Sequence, residues 1–531
     1  MAWQKKLVLS AALAGVSIGP SIAQTAPAPI LRTSYGPVSG VSDQGVLVFK
    51  GVRYAASTEG RRFQPAVPPE RWTKTQPATD YAAQCPQVAG GDTHLFASWK
   101  NERPGSEDCL FLNVWTRGLN DGKKRPIMVW LHGGGYVTGS GAANGYDGVR
   151  LVKRGDVVLV TINHRLNAFG YLHLAGVTKD PRYADAGNVG SLDIVRALQW
   201  VRDNAAAIGG DAENVTIFGE SGGAAKVSTL MAMPDAQGLF HKAIGQSGSM
   251  SLSGFTPQIG TAIASDLIAK ADLQPGQVDK LAAMPLDAFM AAMRASRSRG
   301  ANFRPVPDGR SLPRQPFDPD GTPVSRDVPL LVGTNRTETT LLIGASAPGV
   351  FTLDWPDLPS RAAPFLAGGN AAAIISELRA AYPTESASDI FFRISTQRQY
   401  RRTAITQAER KVAGGGAPVY MYRLDWETPI DGGKWRTPHA LDIAFVFDNV
   451  ARSTSIAGSG PEQQRLADLM SDAWIAFART GNPGTKALPA WPPYDVKQRT
   501  TMIFDVKPRV ANDPDPVERR LFENLPVSRG Q

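Results

Sequence analysis

The sequence predicts an α/β fold, a mostly parallel sheet covered by helices, as one large unit over 24–531. Three observations lead there. Short β-branched or apolar runs recur ahead of Gly- or Asn-bearing turns, at 126–131, 157–162, 215–218, 243–245, 328–332 and 419–424. Amphipathic stretches with near-helical periodicity, such as 192–204, fall between several of them. That alternation of strand and helix is the signature of a parallel sheet with helices on its faces. Third, a chain of 531 residues with 42% hydrophobic and 20% charged residues can bury a sizeable core, which excludes disorder, collagen and coiled coil. No fixed-period repeat or Ser- or Gln-rich tract divides it.

Taken in order, the chain opens with Lys5 and Lys6, an apolar run over 7–18 and the small-x-small triplet Ser21-Ile22-Ala23. This reads as a cleaved signal peptide over 1–23, too short in its apolar part to span a bilayer. Export to a periplasm or out of the cell follows, without a stable membrane anchor, and no cysteine at the cleavage site suggests a lipoprotein. Cleavage lowers the formal charge from +9 to +7. The segment before Lys100 is turn-rich and strand-like, suiting an antiparallel edge. Segments 250–325 and 343–415 read as helical insertions that build a substrate pocket over the sheet. Cys85 and Cys109 are the only cysteines. In an oxidising compartment they are compatible with one disulfide or with two buried thiols, and two thiols alone cannot complete a four-ligand zinc site.

The sharpest chemical signal is Gly219-Glu220-Ser221-Gly222-Gly223, between the strand-like 214–218 and the helix-compatible 224–231. A serine on a tight strand-to-helix turn needs neighbours without side chains, and that arrangement exposes the hydroxyl as a nucleophile. The bare pattern is weak; its strand and helix flanks make it specific. His132-Gly133-Gly134-Gly135 follows the strand-like 127–131. Consecutive glycines let backbone N–H groups converge on a developing oxyanion, each donor being worth about 3 kcal/mol in the transition state. The run could also cradle a phosphate, but the dinucleotide spacing and a P-loop lysine are both missing. A base must follow the serine in chain order. Of the six histidines only His241 and His439 do so, and His241 runs directly into a strand. His439 is therefore the candidate base. Glu338, just past the 328–332 strand, is the candidate acid, whereas Asp327 and Asp308 fall on the wrong side of the sheet.

These motifs resemble the type-B carboxylesterase and cholinesterase family of α/β-hydrolases over about 33–505. The likeness rests on Glu107-Asp108-Cys109-Leu110-Phe111-Leu112-Asn113-Val114-Trp115, Phe218-Gly219-Glu220-Ser221-Gly222-Gly223, Asn163-His164-Arg165-Leu166, Gly209-Gly210-Asp211-Ala212-Glu213-Asn214-Val215 and Phe477-Ala478-Arg479-Thr480-Gly481-Asn482-Pro483. The resemblance implies an α/β-hydrolase fold with a gorge, and Ser221, Glu338 and His439 as nucleophile, acid and base. It implies oxyanion donors at Gly134, Gly135 and Gly222, a buried supporting carboxylate at Glu220, a Cys85–Cys109 disulfide, and ion pairs Arg62–Glu107 and Arg165–Asp193. The chain departs from the family at three places: Thr337-Glu338-Thr339 replaces Asp-Glu-Gly, Gly222 replaces the common Ala, and His164 replaces Tyr.

The function so implied is hydrolysis of a small-molecule carboxylic ester through an acyl-enzyme, with no metal or organic cofactor. A lipase, amidase, carbamate or polyester hydrolase would use the same parts, and a noncatalytic binding protein of this fold would be expected to lack some of them. Arg294, Arg297, Arg299, Arg304, Arg310 and Arg314 cluster in one insertion, and Arg393, Arg398, Arg401 and Arg402 in the other. Lining the pocket, they would favour a carboxylate-bearing substrate; a solvated face is the plainer alternative. No nucleic-acid motif accompanies the positive charge.

Overall fold

The computed structural model describes residues 27–88, 93–248, 256–296 and 303–525, with Met1 and Leu252. The leader over 1–23 lies outside them apart from Met1, as do Arg297 and Arg299. The strands in chain order are β1 (Ile30–Arg32), β2 (Pro37–Ser39), β3 (Val41–Asp43), β4 (Val46–Arg53), β5 (Gln76–Pro77), β6 (Phe111–Thr116), β7 (Arg125–Leu131), β8 (Val158–Ile162), β9 (Gly210–Glu220), β10 (Lys242–Gln246), β11 (Leu330–Asn335), β12 (Val419–Leu424), β13 (Thr500–Phe504) and β14 (Arg509–Asn512). β1, β2 and β5 form a small sheet, and the other 11 form one large sheet in the order β14-β13-β12-β11-β10-β9-β7-β8-β6-β4-β3. From β13 through β8 every neighbouring pair is parallel. β14 at one end, and β6, β4 and β3 at the other, are antiparallel. The strand-like N-terminal segment thus supplies an antiparallel edge, as its sequence predicts.

The parallel strands are buried on both faces, which is why they read as continuous apolar runs. Alternate residues of β7 serve two cores. Ile127, Val129 and Leu131 pack with residues of the helix Val189–Asn204, whereas Met128 and Trp130 pack with residues of the helix Pro461–Thr480. Several elements differ in extent from the sequence reading. β9 starts at Gly210, five residues before the apolar run, and β11 starts at Leu330 and runs to Asn335. Polar residues complete both strands because backbone pairing with β7 and β12 continues past the apolar stretch. β13 and β14 carry too little alternation to stand out.

Both segments read as insertions carry helices. Pro257–Lys270 and Leu286–Ala295 share an apolar cluster with Phe63, Phe169 and Tyr136. Leu358–Ala362, Ala371–Ala381 and Ala387–Thr396 share another with Phe522. Among the described residues no helix is long and apolar enough to cross a membrane.

Cys85 and Cys109 are joined in a disulfide, with their Cα atoms 5.0 Å apart. Two ion pairs flank it. Arg62 donates to Glu107 through Nε at 2.9 Å and Nη2 at 2.5 Å, and its Nη1 reaches the Leu281 carbonyl at 3.1 Å. Arg53 pairs with Asp108 at 2.6 Å. The bridge closes a loop of 24 residues, so its loss should lower stability by about 3 kcal/mol. A Cys85→Ser, Cys109→Ser double variant is expected to unfold at lower urea than wild type, and the same fall is expected of wild type under reductant.

Candidate active site

In a parallel sheet neighbouring strands end on one side, and β7, β9, β10, β11 and β12 each deliver a functional segment there. β9 ends at Glu220, and the helix Gly222–Leu230 begins immediately after Ser221. Ser221 sits between them with φ 57° and ψ −120°, a conformation an L residue adopts only at a cost of about 1–3 kcal/mol. Its N–H donates to the Gln246 carbonyl at the end of β10 (2.8 Å), which ties the turn to the sheet. The glycines around it are required by close backbone approach. A Cβ at 219 would lie 2.6 Å from the Leu131 carbonyl oxygen, and one at 223 would lie 2.0 Å from the same atom.

The segment after β7 turns through Gly134 (φ +85°) and Gly135 (φ +62°), both in the region glycine favours. A Cβ on Gly222 would fall 2.1 Å from the Gly135 carbonyl oxygen. The structure therefore brings Gly134, Gly135 and Gly222 together beside Ser221, and the Ala common at 222 in the family would not fit this loop. His132, at the start of the loop, stacks on His164 with ring centroids 4.8 Å apart and 9° between planes. His164, in place of tyrosine, thus supports the glycine loop from beneath. Burial and the nearby Lys226 push both imidazoles well below the usual range, leaving them neutral.

The third group lies past β11 and β12. Glu338 is fully buried, and its Oε1 accepts from Ser247 Oγ (2.6 Å) and the Asn335 N–H (2.7 Å). Its Oε2 lies 2.6 Å from His439 Nδ1. Threonines at 337 and 339 stitch this turn in place. Thr337 Oγ1 accepts from the Thr437 N–H (2.9 Å) and Thr339 Oγ1 meets Ser395 Oγ (2.7 Å), a bond that the glycine of the family pattern at 339 could not make. Asn335 Nδ2 donates to the Pro438 carbonyl (2.7 Å), locking the acid turn to the histidine turn.

The other ring nitrogen, His439 Nε2, is 3.1 Å from Glu220 Oε1. No hydrogen bond joins Ser221 Oγ to His439 among the described residues. Asp442 completes a buried group of three carboxylates around one imidazole, accepting from Gln246 Nε2 (2.9 Å) and Tyr422 OH (2.7 Å). Burial disfavours the His439 cation, but Glu220 and Glu338 outweigh it and raise its pKa. Burial raises Glu220 in turn, with Asp442 and Glu338 adding to the effect against His439. Asp442 is pushed up to about 6, mainly by burial.

His241 is structural: its Nδ1 accepts from the Val215 N–H at 3.2 Å. The implied ion pair Arg165–Asp193 forms at 2.6 Å and is buried. Three of the eight described arginines of the two insertions pair with acidic side chains. Arg310 pairs with Asp185, Arg314 with Asp320, and Arg393 with Glu385 and Glu518. Arg401 is buried rather than solvated, against the surface reading, and lies in a π-helical turn, Gln397–Arg401. The same turn sets the Tyr400 ring 5.1 Å from the His439 ring. Sequence reasoning does not single out Ser247, Asp442 or Tyr400. Ser247 had a faint signal, being the residue after β10, where a parallel strand ends beside β9.

Two variants test this geometry. If His439 must be neutral to act as a base, activity rises with pH through its raised pKa. Glu220→Gln removes the carboxylate beside Nε2 and should move that acidic limb of kcat/KM about one pH unit toward acid. Gly222→Ala should displace the Gly135 backbone and lower kcat about 100-fold with little change in KM, the cost of a misplaced oxyanion donor; steady-state kinetics read both.

Comparison with known proteins agrees with this architecture. The model of the carboxylesterase family matches residues 27–521. The para-nitrobenzyl esterase of Bacillus subtilis is 36% identical over 508 residues, 93% of this chain and 98% of that protein. The phenmedipham hydrolase of Pseudarthrobacter oxydans is 31% identical, over 93% and 99%. The crystal structure of the Geobacillus stearothermophilus carboxylesterase EST55 superposes with a TM-score of 0.80 at 37% identity, covering 93% of this chain and 99% of that one. With matched length, fold and sequence, this chain belongs to the carboxylesterase family and is a carboxylic ester hydrolase of the α/β-hydrolase fold.

Proposed function

We propose that ester hydrolysis here runs through Ser221, His439 and Glu338. The observation that carries this reading is the 2.6 Å contact of His439 Nδ1 with Glu338 Oε2 on the same sheet edge as the strained Ser221. Glu338 fixes the imidazole tautomer and leaves Nε2 to serve the serine. Ser221 Oγ attacks the ester carbonyl while its proton passes to Nε2, and the oxyanion settles on N–H groups of Gly134, Gly135 and Gly222. The C–O bond to the alcohol then breaks, the alcohol taking the proton from His439. Water, deprotonated by the same imidazole, releases the acid and restores the serine. Glu220, Glu338 and Asp442 stabilise the imidazolium that both steps require.

Neutral esters are the substrates best supported, since the insertion arginines paired with Asp185, Asp320, Glu385 and Glu518 already have counter-ions. We further read the chain as a single domain over 24–531, exported under the leader at 1–23; the Cys85–Cys109 disulfide supports an oxidising compartment.

Wild type is expected to hydrolyse neutral p-nitrophenyl acyl esters faster than analogues with a free carboxylate. Ser221→Ala should lose about 10⁴-fold or more in kcat, and an organophosphate should add one phosphoryl group at Ser221 in a peptide map. Retention of turnover in Ser221→Ala, or an adduct elsewhere, would overturn the assignment.

A further inference from the structure

One buried cation has no place in the chemistry above. Lys226, on the helix Gly222–Leu230, has no exposed surface, and its Nζ donates to the carbonyl of His132 at 2.9 Å. That carbonyl heads the glycine loop. Positions 222, 223, 226 and 229 recur at helical spacing and share one face. Each meets the loop: Gly222 touches the Gly135 backbone, Gly223 approaches the Leu131 and His132 carbonyls, and Lys226 bonds the His132 carbonyl. Thr229 Oγ1 lies 3.1 Å from Tyr136 OH. This face is a cradle for the oxyanion loop, and Lys226 is its only charged member.

Among the described residues, the groups facing the amine carry no negative charge. They are the imidazoles of His132 and His164, both held neutral, and the phenol of Tyr136, whose ring lies 5.8 Å from Nζ and whose pKa is pushed up to about 12. Burial alone accounts for the lowering of the amine to about 7. An ammonium buried without a counter-ion is costly. Here it stands beneath the loop that must receive negative charge during acyl transfer.

We propose that Lys226 is a positioning residue for the oxyanion hole: its Nζ pins the His132 carbonyl, and its charge lowers the energy of the oxyanion formed above the loop. This rests on Ser221 being the nucleophile. The hydrogen bond fixes the peptide from which Gly134 and Gly135 follow. The charge acts through a low-dielectric interior and needs no contact with substrate.

The test compares wild type, Lys226→Gln, Lys226→Met and Ser221→Ala on a p-nitrophenyl ester, together with inhibition by an aryl trifluoromethyl ketone, which adds serine to give a stable oxyanion. Lys226→Gln keeps an N–H donor and loses the charge, whereas Lys226→Met loses both. The expected result is a fall in kcat of about tenfold for the first and more for the second, with KM within about twofold. The ketone inhibition constant should rise in step with the fall in kcat/KM. Unchanged kcat in a folded Lys226→Gln, or a fall in kcat without weaker ketone binding, would overturn the proposal. If Lys226→Met does not fold, the charge-only variant still decides. An active Ser221→Ala would sink the nucleophile assignment itself, whereas an inactive one beside wild-type-like Lys226 variants would sink the lysine's role alone.

Discussion

Backbone pressed against backbone is the constraint on which the site depends. The turn at Ser221 holds a φ/ψ pair that an isolated serine would leave, and it persists because the helix behind it abuts the end of β7 with no side chain between. Gly219, Gly222 and Gly223 are absences that let three main-chain segments meet. Their contact fixes the serine and the glycine loop relative to each other, so the proposed nucleophile and oxyanion donors belong to one rigid body rather than to two loops. The single hydrogen bond from Ser221 N–H to Gln246 anchors that body to the sheet.

The proposed acid and base are held by a different principle. Glu338 and His439 occupy turns after β11 and β12, each just ahead of a short helix, and polar side chains tie those turns together. Thr337, Asn335 and Ser247 each form a buried hydrogen bond to the two turns or to Glu338 itself, and Thr339 ties the acid turn to Ser395 on the helix Ala387–Thr396. In a low-dielectric interior such bonds are worth most when every member is satisfied. Three carboxylates around one imidazole would repel each other if fully ionised. The system relaxes by raising Glu220 and Asp442 and by favouring the imidazolium, the species that acyl transfer must generate.

Much of this was legible in the sequence. The apolar runs located β7 to β12 because parallel strands are buried on both faces, and the glycine pattern marked Ser221 because its backbone tolerates no neighbours there. His439 and Glu338 followed from chain order and position. What stayed hidden depends on contacts between distant segments. Nothing local distinguishes Ser247 from any serine after a strand, and the carboxylate of Asp442 gains meaning only beside Tyr422 and Gln246. The threonines flanking Glu338 looked like departures from a pattern; their hydrogen bonds turn them into struts. Arg401 reads as surface charge until a π-turn carries it inward.

The order of strands in the sheet has a consequence for how activity is acquired. The glycine loop follows β7, the proposed nucleophile β9, the proposed acid β11 and the proposed base β12, so the parts come from residues 132 to 439 of the chain and meet only when five strands lie side by side. A chain still leaving the ribosome carries Ser221 long before it carries His439. Hydrolysis is therefore silent until nearly the whole polypeptide has folded, and turnover counts native molecules in a population far more strictly than secondary-structure content does.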